Sequence, residues 1–369
     1  MKYKGVRERI KTMGPLFWLA ITDWKKEKDK LNISKPYIDR YFSTDWRKNK
    51  VLDLSFQSLK YFDNEVSLNV NDIPSHYKDL INSLPQIDYD ACLLFDDYKK
   101  KFNYPDDSII TSRRILSNIM NTPFEVNHEK RKWIIEAELL KNDIVYLYCE
   151  NDGEHNVQEF HKHYELLKRY LFVKKPIKYN RKVCTAFNEM FGELLRLKLD
   201  VHDIFYTTEI LGVNSNHEIS VKEELCTAEH IYFDIFDSDE LPREVNNYNP
   251  FWWSNSTLIN ASKCIIASYD CNNECLKEII KFNTDKFNEK SNYENIWSPE
   301  SAWNFLNEFL NFVYETMHSV STDIKYRCIW KFQSFLNDKP YVSCETFIRT
   351  IENGIETLKP LTLDASNFT

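Results

Sequence analysis

Apolar residues recur at helical spacing in three segments of the chain. The first follows Ser112 and is expected to end before Pro123, because a proline disfavours the helical conformation in the residue that precedes it. The second spans residues 185–197, and the third begins at Ser298, an N-cap residue followed by a proline. The three apolar stripes are Ile115, Leu116, Ile119 and Met120; Phe187, Met190, Phe191, Leu194 and Leu195; and Trp303, Leu306, Leu310, Val313 and Met317.

Runs of β-branched and aromatic residues predict strands among these helices. A turn at Lys141-Asn142-Asp143 and another near Cys271 indicate two hairpins, and two further strands are separated by an acidic loop. The predicted strands are residues 132–137, 144–148, 204–213, 230–236, 264–269 and 276–282. Strands and helices interleave without a regular βαβ order, which predicts a mixed α+β fold.

The chain shows no internal repeat or linker-like tract, so we expect one compact domain over residues 1–369. Residues 1–85 mix charge runs with isolated aromatics and are expected to form a divergent N-terminal lobe. Residues 335–369 are expected to form a C-terminal extension. No segment approaches the ~20 apolar residues of a membrane span, and nine scattered cysteines fit a reducing compartment. The expected location is therefore cytoplasmic or nuclear.

Two of the predicted strands carry acidic residues. Side chains alternate across a strand, so Glu209 shares a face with Leu211, and Asp234 shares a face with Phe236. If the strands are neighbours, Glu209 and Asp234 converge and form a candidate site for a divalent metal. The alternative is that both residues are structural acids on half-exposed strands.

The order of motifs along the chain resembles the DXO-type decapping exoribonucleases. That family has an arginine, a Thr-Pro-Tyr-Glu motif, a Trp-bearing strand, a Glu-x-Asp strand, a Glu-Leu-Lys strand and a Trp-Trp-Ala-Gln helix. The corresponding segments here are Arg113, Thr122-Pro123-Phe124-Glu125, Trp133, Glu209-Ile210-Leu211, Asp234-Ile235-Phe236 and Trp252-Trp253-Ser254-Asn255. The resemblance spans roughly residues 108–333. It implies a core of two mixed sheets flanked by helices.

The resemblance also implies a catalytic site that uses Mg²⁺ or Mn²⁺ to hydrolyse RNA 5′ ends. The positions that match the family's catalytic residues are Glu165, Glu209, Asp234 and Asn255, with Glu209 and Asp234 as metal ligands. Leu211 stands where the family has an aspartate, and Phe236 stands where it has a lysine. Leucine cannot bind a metal, and losing one group that stabilises the transition state can cost ~10²–10³ in rate. Weak or absent hydrolysis is therefore expected.

A local basic segment lies within an acidic chain. Residues 161–182 carry a charge of +7 and the rest of the chain −15, for a total of −8. Aromatic residues are interleaved with the cations, a combination typical of single-stranded RNA paths. The candidate RNA-binding residues are Arg113, Lys168, Arg169, Lys174, Lys175 and Lys178. The alternative is a solvated helix and loop whose aromatics point into the core.

The sequence thus predicts a protein that binds single-stranded RNA 5′ ends and has a degraded metal site. One alternative is an active metal-dependent nuclease that removes incomplete or noncanonical caps. Another is a protein-interaction scaffold, with an exoribonuclease as a possible partner. The chain has only six glycines and no glycine-rich phosphate-binding motif, which argues against a nucleotide-binding loop.

Overall fold

The structure is a computed structural model. It describes residues 17–21, 31–45, 50–69, 71, 100–124, 132–149, 158–176, 189–237, 250–270, 275–285, 297–320, 324–334, 341–352 and 355–361.

The described residues form strands and α-helices that alternate irregularly along the chain. The strands are β1 (Phe17–Ala20), β2 (Tyr37–Asp45), β3 (Lys50–Asp53), β4 (Tyr61–Phe62), β5 (Ile109–Ser112), β6 (Ile134–Leu139), β7 (Val145–Tyr148), β8 (Phe172–Val173), β9 (Glu189–Leu199), β10 (His202–Ile210), β11 (Val213–Asn214), β12 (Glu229–Asp237), β13 (Lys263–Asp270), β14 (Cys275–Asn283), β15 (Cys328–Ser334), β16 (Tyr341–Glu352) and β17 (Ile355–Pro360). The helices are α1 (Arg113–Asn121), α2 (Gln158–Leu171), α3 (Lys222–Thr227), α4 (Pro250–Leu258) and α5 (Pro299–His318).

Two mixed sheets contain these strands. The larger has the order β1-β16-β15-β6-β7-β5-β10-β9-β2-β3, with β17 also paired to β16, and the smaller has the order β14-β13-β12-β11-β4-β8. The large sheet is parallel at β5–β10 and β5–β7, and the small sheet is parallel at β12–β13 and β4–β11. Strands from both ends of the described chain pair into the large sheet. The predicted mixed α+β fold with a two-sheet core is confirmed.

The principal core contains residues from both sheets and from α1, α4 and α5. Tyr206 of β10, Tyr232 of β12 and Phe309 of α5 belong to this one cluster. Helix α2 contributes to a second cluster, in which Leu167 packs with Phe233 of β12. Strand β12 therefore has one face toward the principal core and the other toward α2. Within the described residues, no helix is both long and apolar enough to cross a membrane.

Several local predictions are confirmed. Helix α1 ends at Asn121 and is followed by a short 3₁₀ turn that contains Pro123. Strands β6 and β7 form the expected hairpin, as do β13 and β14. Helix α5 begins as predicted, because the Ser298 side chain accepts a hydrogen bond from the backbone N–H of Ser301.

The helix predicted at residues 185–197 is wrong, because residues 189–199 form strand β9. This strand lies between β10 and β2 in the interior of the large sheet. Leu195 packs in the principal core, whereas Leu194 packs in a separate cluster with Phe205. A strand covered on both faces is apolar throughout, so its pattern also satisfies a helical stripe.

The strands that carry Glu209 and Asp234 are not paired neighbours. Strand β10 pairs with β5 and β9 in the large sheet, whereas β12 pairs with β11 and β13 in the small one. The single strand predicted at residues 204–213 is interrupted at Leu211-Gly212, where the chain passes from one sheet to the other. A Cβ at Gly212 would collide with the Phe172 ring and lie 3.0 Å from the Lys60 carbonyl oxygen, so a larger residue would fit at this crossing only if its neighbours shifted.

Candidate functional site

An ammonium group lies between two of the predicted site carboxylates. Lys168 Nζ is 2.8 Å from Glu209 Oε1 and 3.5 Å from Glu165 Oε1. Glu165 and Lys168 are one turn apart on α2, so both project from the same side of the helix. Glu209 approaches from the end of β10. The side chains of Lys168 and Glu165 are 9% and 10% exposed, whereas that of Glu209 is 24% exposed, so the triad is buried on the side of α2.

The electrostatics of this triad favour the charged lysine. Burial alone lowers the pKa of the Lys168 ammonium, but the carboxylates of Glu165 and Glu209 outweigh burial and raise its pKa overall. The neighbouring Tyr164 stacks on Phe233, with ring centroids 5.2 Å apart. Burial raises the pKa of the Tyr164 phenol, Lys168 lowers it, and Glu209, Asp234 and Glu165 raise it further. All three acids therefore lie within electrostatic range of one phenol.

Asp234 lies on the other face of β12 from Phe233 and is held by its own strand. Its Oδ2 accepts a hydrogen bond from the Tyr232 hydroxyl at 3.0 Å, and its Oδ1 accepts one from the backbone N–H of Ile235 at 2.9 Å. The guanidinium of Arg113, at the start of α1, lies 5.6 Å from the centroid of the Tyr232 ring. Arg113 and Asp234 thus share Tyr232 as a neighbour.

Leu211 and Phe236 are both packed into apolar surroundings. Leu211 belongs to the cluster beneath α2, and Phe236 belongs to the principal core. The Phe236 ring is 5.2 Å from the ring of Trp252, centroid to centroid. Both positions where the resemblance implies a charged residue are therefore filled by buried hydrocarbon.

Asn255 joins two helices. Its Nδ2 donates to Ser117 Oγ of α1 at 2.8 Å and to the Phe251 carbonyl at 2.8 Å. Ser254 and Asn121 extend this buried network, because Asn121 Nδ2 donates to Ser254 Oγ at 2.8 Å. The amide nitrogen of Asn255 is thus used to hold α4 against α1, the helix that begins at Arg113.

The candidate RNA-binding cations lie in three environments. Lys168 and Arg169 are buried, which differs from the open path expected for both. Lys174 and Lys175 are 54% and 58% exposed and pair with Glu189 and Glu218, respectively. Arg113 is half-buried. Lys178 lies outside the described residues.

The interleaved aromatics that the structure describes do not form an exposed row. Tyr170 and Phe172 are buried, and the Tyr170 hydroxyl donates to the Ser67 carbonyl. Tyr164 is stacked against the small sheet. In this segment the described aromatics therefore point into the core, as the alternative interpretation expected.

The residues of this site do not fit a bound divalent metal. Such ions require several oxygen ligands around one point. The described residues contain no group of three or more His, Cys, Asp or Glu side chains able to hold an ion. Glu209 is paired with an ammonium, and Leu211 supplies no oxygen donor.

The contact between Lys168 and Glu209 was missed by the sequence analysis. The Glu165–Lys168 spacing of three residues in a helix was a visible signal for one half of the triad. The other half joins residues 41 positions apart and depends on where α2 packs against the end of β10.

Comparison with known proteins identifies one family over most of the chain. The family model described as RAI1 like PD-(D/E)XK nuclease matches residues 35–355. The match begins well before the first of the motifs noted above. A search of curated proteins gives no match.

Solved structures share the fold at low identity. Rai1 from S. pombe in complex with 3′-FADP is 14% identical, with a TM-score of 0.65, over 90% of this chain and 100% of that one. Candida albicans Rai1 in complex with pU5-Mn²⁺ is 13% identical, with a TM-score of 0.60, over 89% and 93%. K. lactis Dxo1 in complex with manganese is 12% identical, with a TM-score of 0.58, over 93% and 99%.

Proposed function

The chain belongs to the RAI1-like PD-(D/E)XK nuclease family, and from this premise we propose that it binds single-stranded RNA 5′ ends with little or no metal-dependent hydrolysis. The observation that carries the proposal is the Lys168–Glu209 ion pair at 2.8 Å. A carboxylate that already holds an ammonium at this distance is a poor ligand for Mg²⁺ or Mn²⁺.

The buried residues at positions 211 and 236 support the loss of hydrolysis. Two-metal hydrolysis needs carboxylates that bridge the ions and groups that stabilise the developing charge. Leu211 and Phe236 supply neither, and both are fixed by packing. Loss of one charge-stabilising group typically lowers a rate by ~10²–10³.

Arg113 is the cation that we assign to the RNA 5′ phosphate. It is partly exposed at the start of α1, and it lies beside Tyr232, which contacts Asp234. A guanidinium can bind two phosphate oxygens in parallel. The network from Asn255 to Ser117 keeps α1 in place and so positions Arg113.

Lys174 and Lys175 are the cations that we assign to the phosphates that follow. Their salt bridges, at 3.3 Å and 2.9 Å, are exposed to solvent. Exposed pairs contribute only about 0–1 kcal/mol, so an RNA phosphate can compete with Glu189 and Glu218 for these ammonium groups.

The proposal is tested by measuring binding and turnover separately. In EDTA at low salt, pU5 should bind more tightly than the same oligonucleotide with a 5′ hydroxyl. Arg113→Ala should weaken binding of pU5 at least ~10-fold, the loss of one charge-assisted contact. Arg114→Ala, at the exposed neighbouring position, is the matched control and should leave affinity unchanged.

Turnover is followed with 5′-monophosphate, triphosphate and cap-analogue RNAs in Mg²⁺ or Mn²⁺. We expect no metal-dependent product above background. Turnover that is abolished by Glu209→Ala would instead establish an active nuclease. If pU5 does not bind at low salt, the RNA-binding proposal is wrong, whatever the result for turnover.

A further inference from the structure

The acidic site contains its own cation. Two carboxylates and one ammonium form the triad of Glu165, Lys168 and Glu209, in which the Lys168 side chain is 9% exposed. Two adjacent carboxylates, one buried and one half-buried, would repel each other and lose hydration if no cation lay between them. In a divalent-metal site the metal removes that repulsion, and here the ammonium group does so.

Packing holds the ammonium in position. The neighbouring residues Leu166, Leu167 and Leu171 of α2 are buried in the cluster that includes Phe233 and Ile265 of the small sheet. Rotation of α2 would expose these leucines to water, which is unfavourable because buried apolar surface would return to solvent. The direction of the Lys168 side chain is therefore fixed by the same packing that buries the helix.

From this geometry we infer that Lys168 is a built-in counterion that replaces the divalent metal between Glu165 and Glu209 and prevents its binding. An ion at the ordinary metal–oxygen distance of ~2.0–2.6 Å from Glu209 Oε1 would overlap the position of the ammonium or be repelled by it. Leu211 does not offer the additional oxygen that could compensate. The ammonium reduces the charge of the acidic pair from −2 to −1 without any metal.

This inference deepens the proposed function and rests on it for its biological meaning. RNA that approaches Arg113 meets a pair of carboxylates whose charge Lys168 has halved, which favours binding in EDTA. The replacement of the metal by Lys168 is nevertheless a physical property of the free protein and can be measured without RNA.

The experiment measures Mn²⁺ binding by electron paramagnetic resonance and by the shift in Tm. The proteins are wild type, Lys168→Met and Lys198→Met, each in EDTA and in millimolar Mn²⁺. Wild type should neither bind Mn²⁺ nor shift its Tm. In EDTA, Lys168→Met should lower Tm by roughly 5–10 °C, because it removes the ammonium that both the buried Glu165 and the half-buried Glu209 carboxylates contact.

Mn²⁺ should then bind Lys168→Met and recover part of the lost Tm, because a ligand of the folded state stabilises it. Lys198→Met, which removes an exposed ammonium outside the site, should behave as wild type does. Leu211→Asp should add little Mn²⁺ affinity beside Lys168 and much more in the double variant with Lys168→Met. Lys168→Gln replaces Lys168→Met in each arm if the latter does not fold.

Mn²⁺ binding by wild type that disappears in Glu209→Gln would overturn the inference. A folded Lys168→Met or Lys168→Gln variant that gains no Mn²⁺ binding would overturn it as well. Binding of pU5 by wild type in EDTA is measured in parallel. If wild type does not bind pU5, the proposed function is rejected. The Mn²⁺ measurements decide the role of Lys168 independently of RNA binding.

Discussion

His230 of β12 and Glu193 of β9 form a buried ion pair that joins the two sheets, with Nε2 and Oε1 2.9 Å apart. The side chains are 5% and 0% exposed. His230 Nδ1 also lies 3.2 Å from the Ala228 carbonyl oxygen. The second oxygen of Glu193 has no hydrogen-bond partner within the described residues. This contact between the two sheets therefore depends on the charges of His230 and Glu193.

Removing one partner of this pair should destabilise the fold strongly. His230→Phe leaves the Glu193 carboxylate buried without a cation, and the loss of one member of a buried pair typically costs about 3–5 kcal/mol. The free energy of unfolding, measured in urea, should fall by that amount. Replacing both residues with apolar ones, as in His230→Phe with Glu193→Met, should cost less than either single change. A double variant at least as unstable as the sum of the two would contradict the pairing.

The same pair should make stability depend on pH. Burial lowers the pKa of His230, but the charge and hydrogen bond of Glu193 outweigh it and raise the pKa above its ordinary 6.5. The stabilisation is complete below pH 6.5 and is lost as pH rises through the folded-state pKa. His202 acts oppositely, since burial lowers its pKa. The urea midpoint should therefore fall between pH 6 and pH 9 in His202→Gln, which keeps the His230–Glu193 pair. The fall should be smaller in a variant that lacks this pair.

Local patterns predicted the parts of the fold that short-range chemistry decides. The Ser298 cap and the Lys141-Asn142-Asp143 turn depend on residues a few positions apart, and both occur as expected. The helix predicted where β9 lies was wrong because Leu194 and Leu195 face different cores, which a single sequence does not reveal. The strands that carry Glu209 and Asp234 were considered as possible neighbours but lie in different sheets. Strand order could not be predicted because it is decided by contacts between residues distant in the chain.

The sequence indicated three acids that the fold brings near Tyr164, but it did not indicate the cation between two of them. Glu165, Glu209 and Asp234 were named from the sequence, and all three influence Tyr164. Lys168 was assigned to RNA because its neighbours in sequence are basic. Its actual environment depends on the crossing at Gly212, which brings the end of β10 toward α2.

Gly212→Ala should therefore disturb both stability and the triad. The new Cβ meets the Phe172 ring and the Lys60 carbonyl, and overpacking of this kind typically costs about 1–3 kcal/mol. Denaturant unfolding measures the loss. Phe172→Leu provides space, so the double variant should lose less than the sum of the two single variants. Additive losses would indicate that the clash with Phe172 is not the cause.

Asn255→Ala should lower stability and weaken RNA binding only modestly. It removes two buried hydrogen bonds, to Ser117 and to the Phe251 carbonyl, and a hydrogen bond contributes about 0.5–1.5 kcal/mol net. Asn121→Ala, in the same network, is the matched variant and should show a similar loss. The affinity for pU5 should fall only modestly and equally in both variants, since each acts through α1. A large loss in Asn255→Ala alone would instead indicate direct contact with RNA.

The salt dependence of RNA binding should report the phosphate contacts of Lys174 and Lys175. For single strands, the slope of log affinity against log salt changes by about 0.7 for each phosphate neutralised, so Lys174→Gln with Lys175→Gln should reduce the slope by about 1.4. Lys198→Gln is the control. It is exposed near the end of β9 opposite to Glu189, the partner of Lys174, roughly 30 Å away. An unchanged slope in the double variant, or an equal change in the control, would remove these lysines from the RNA path.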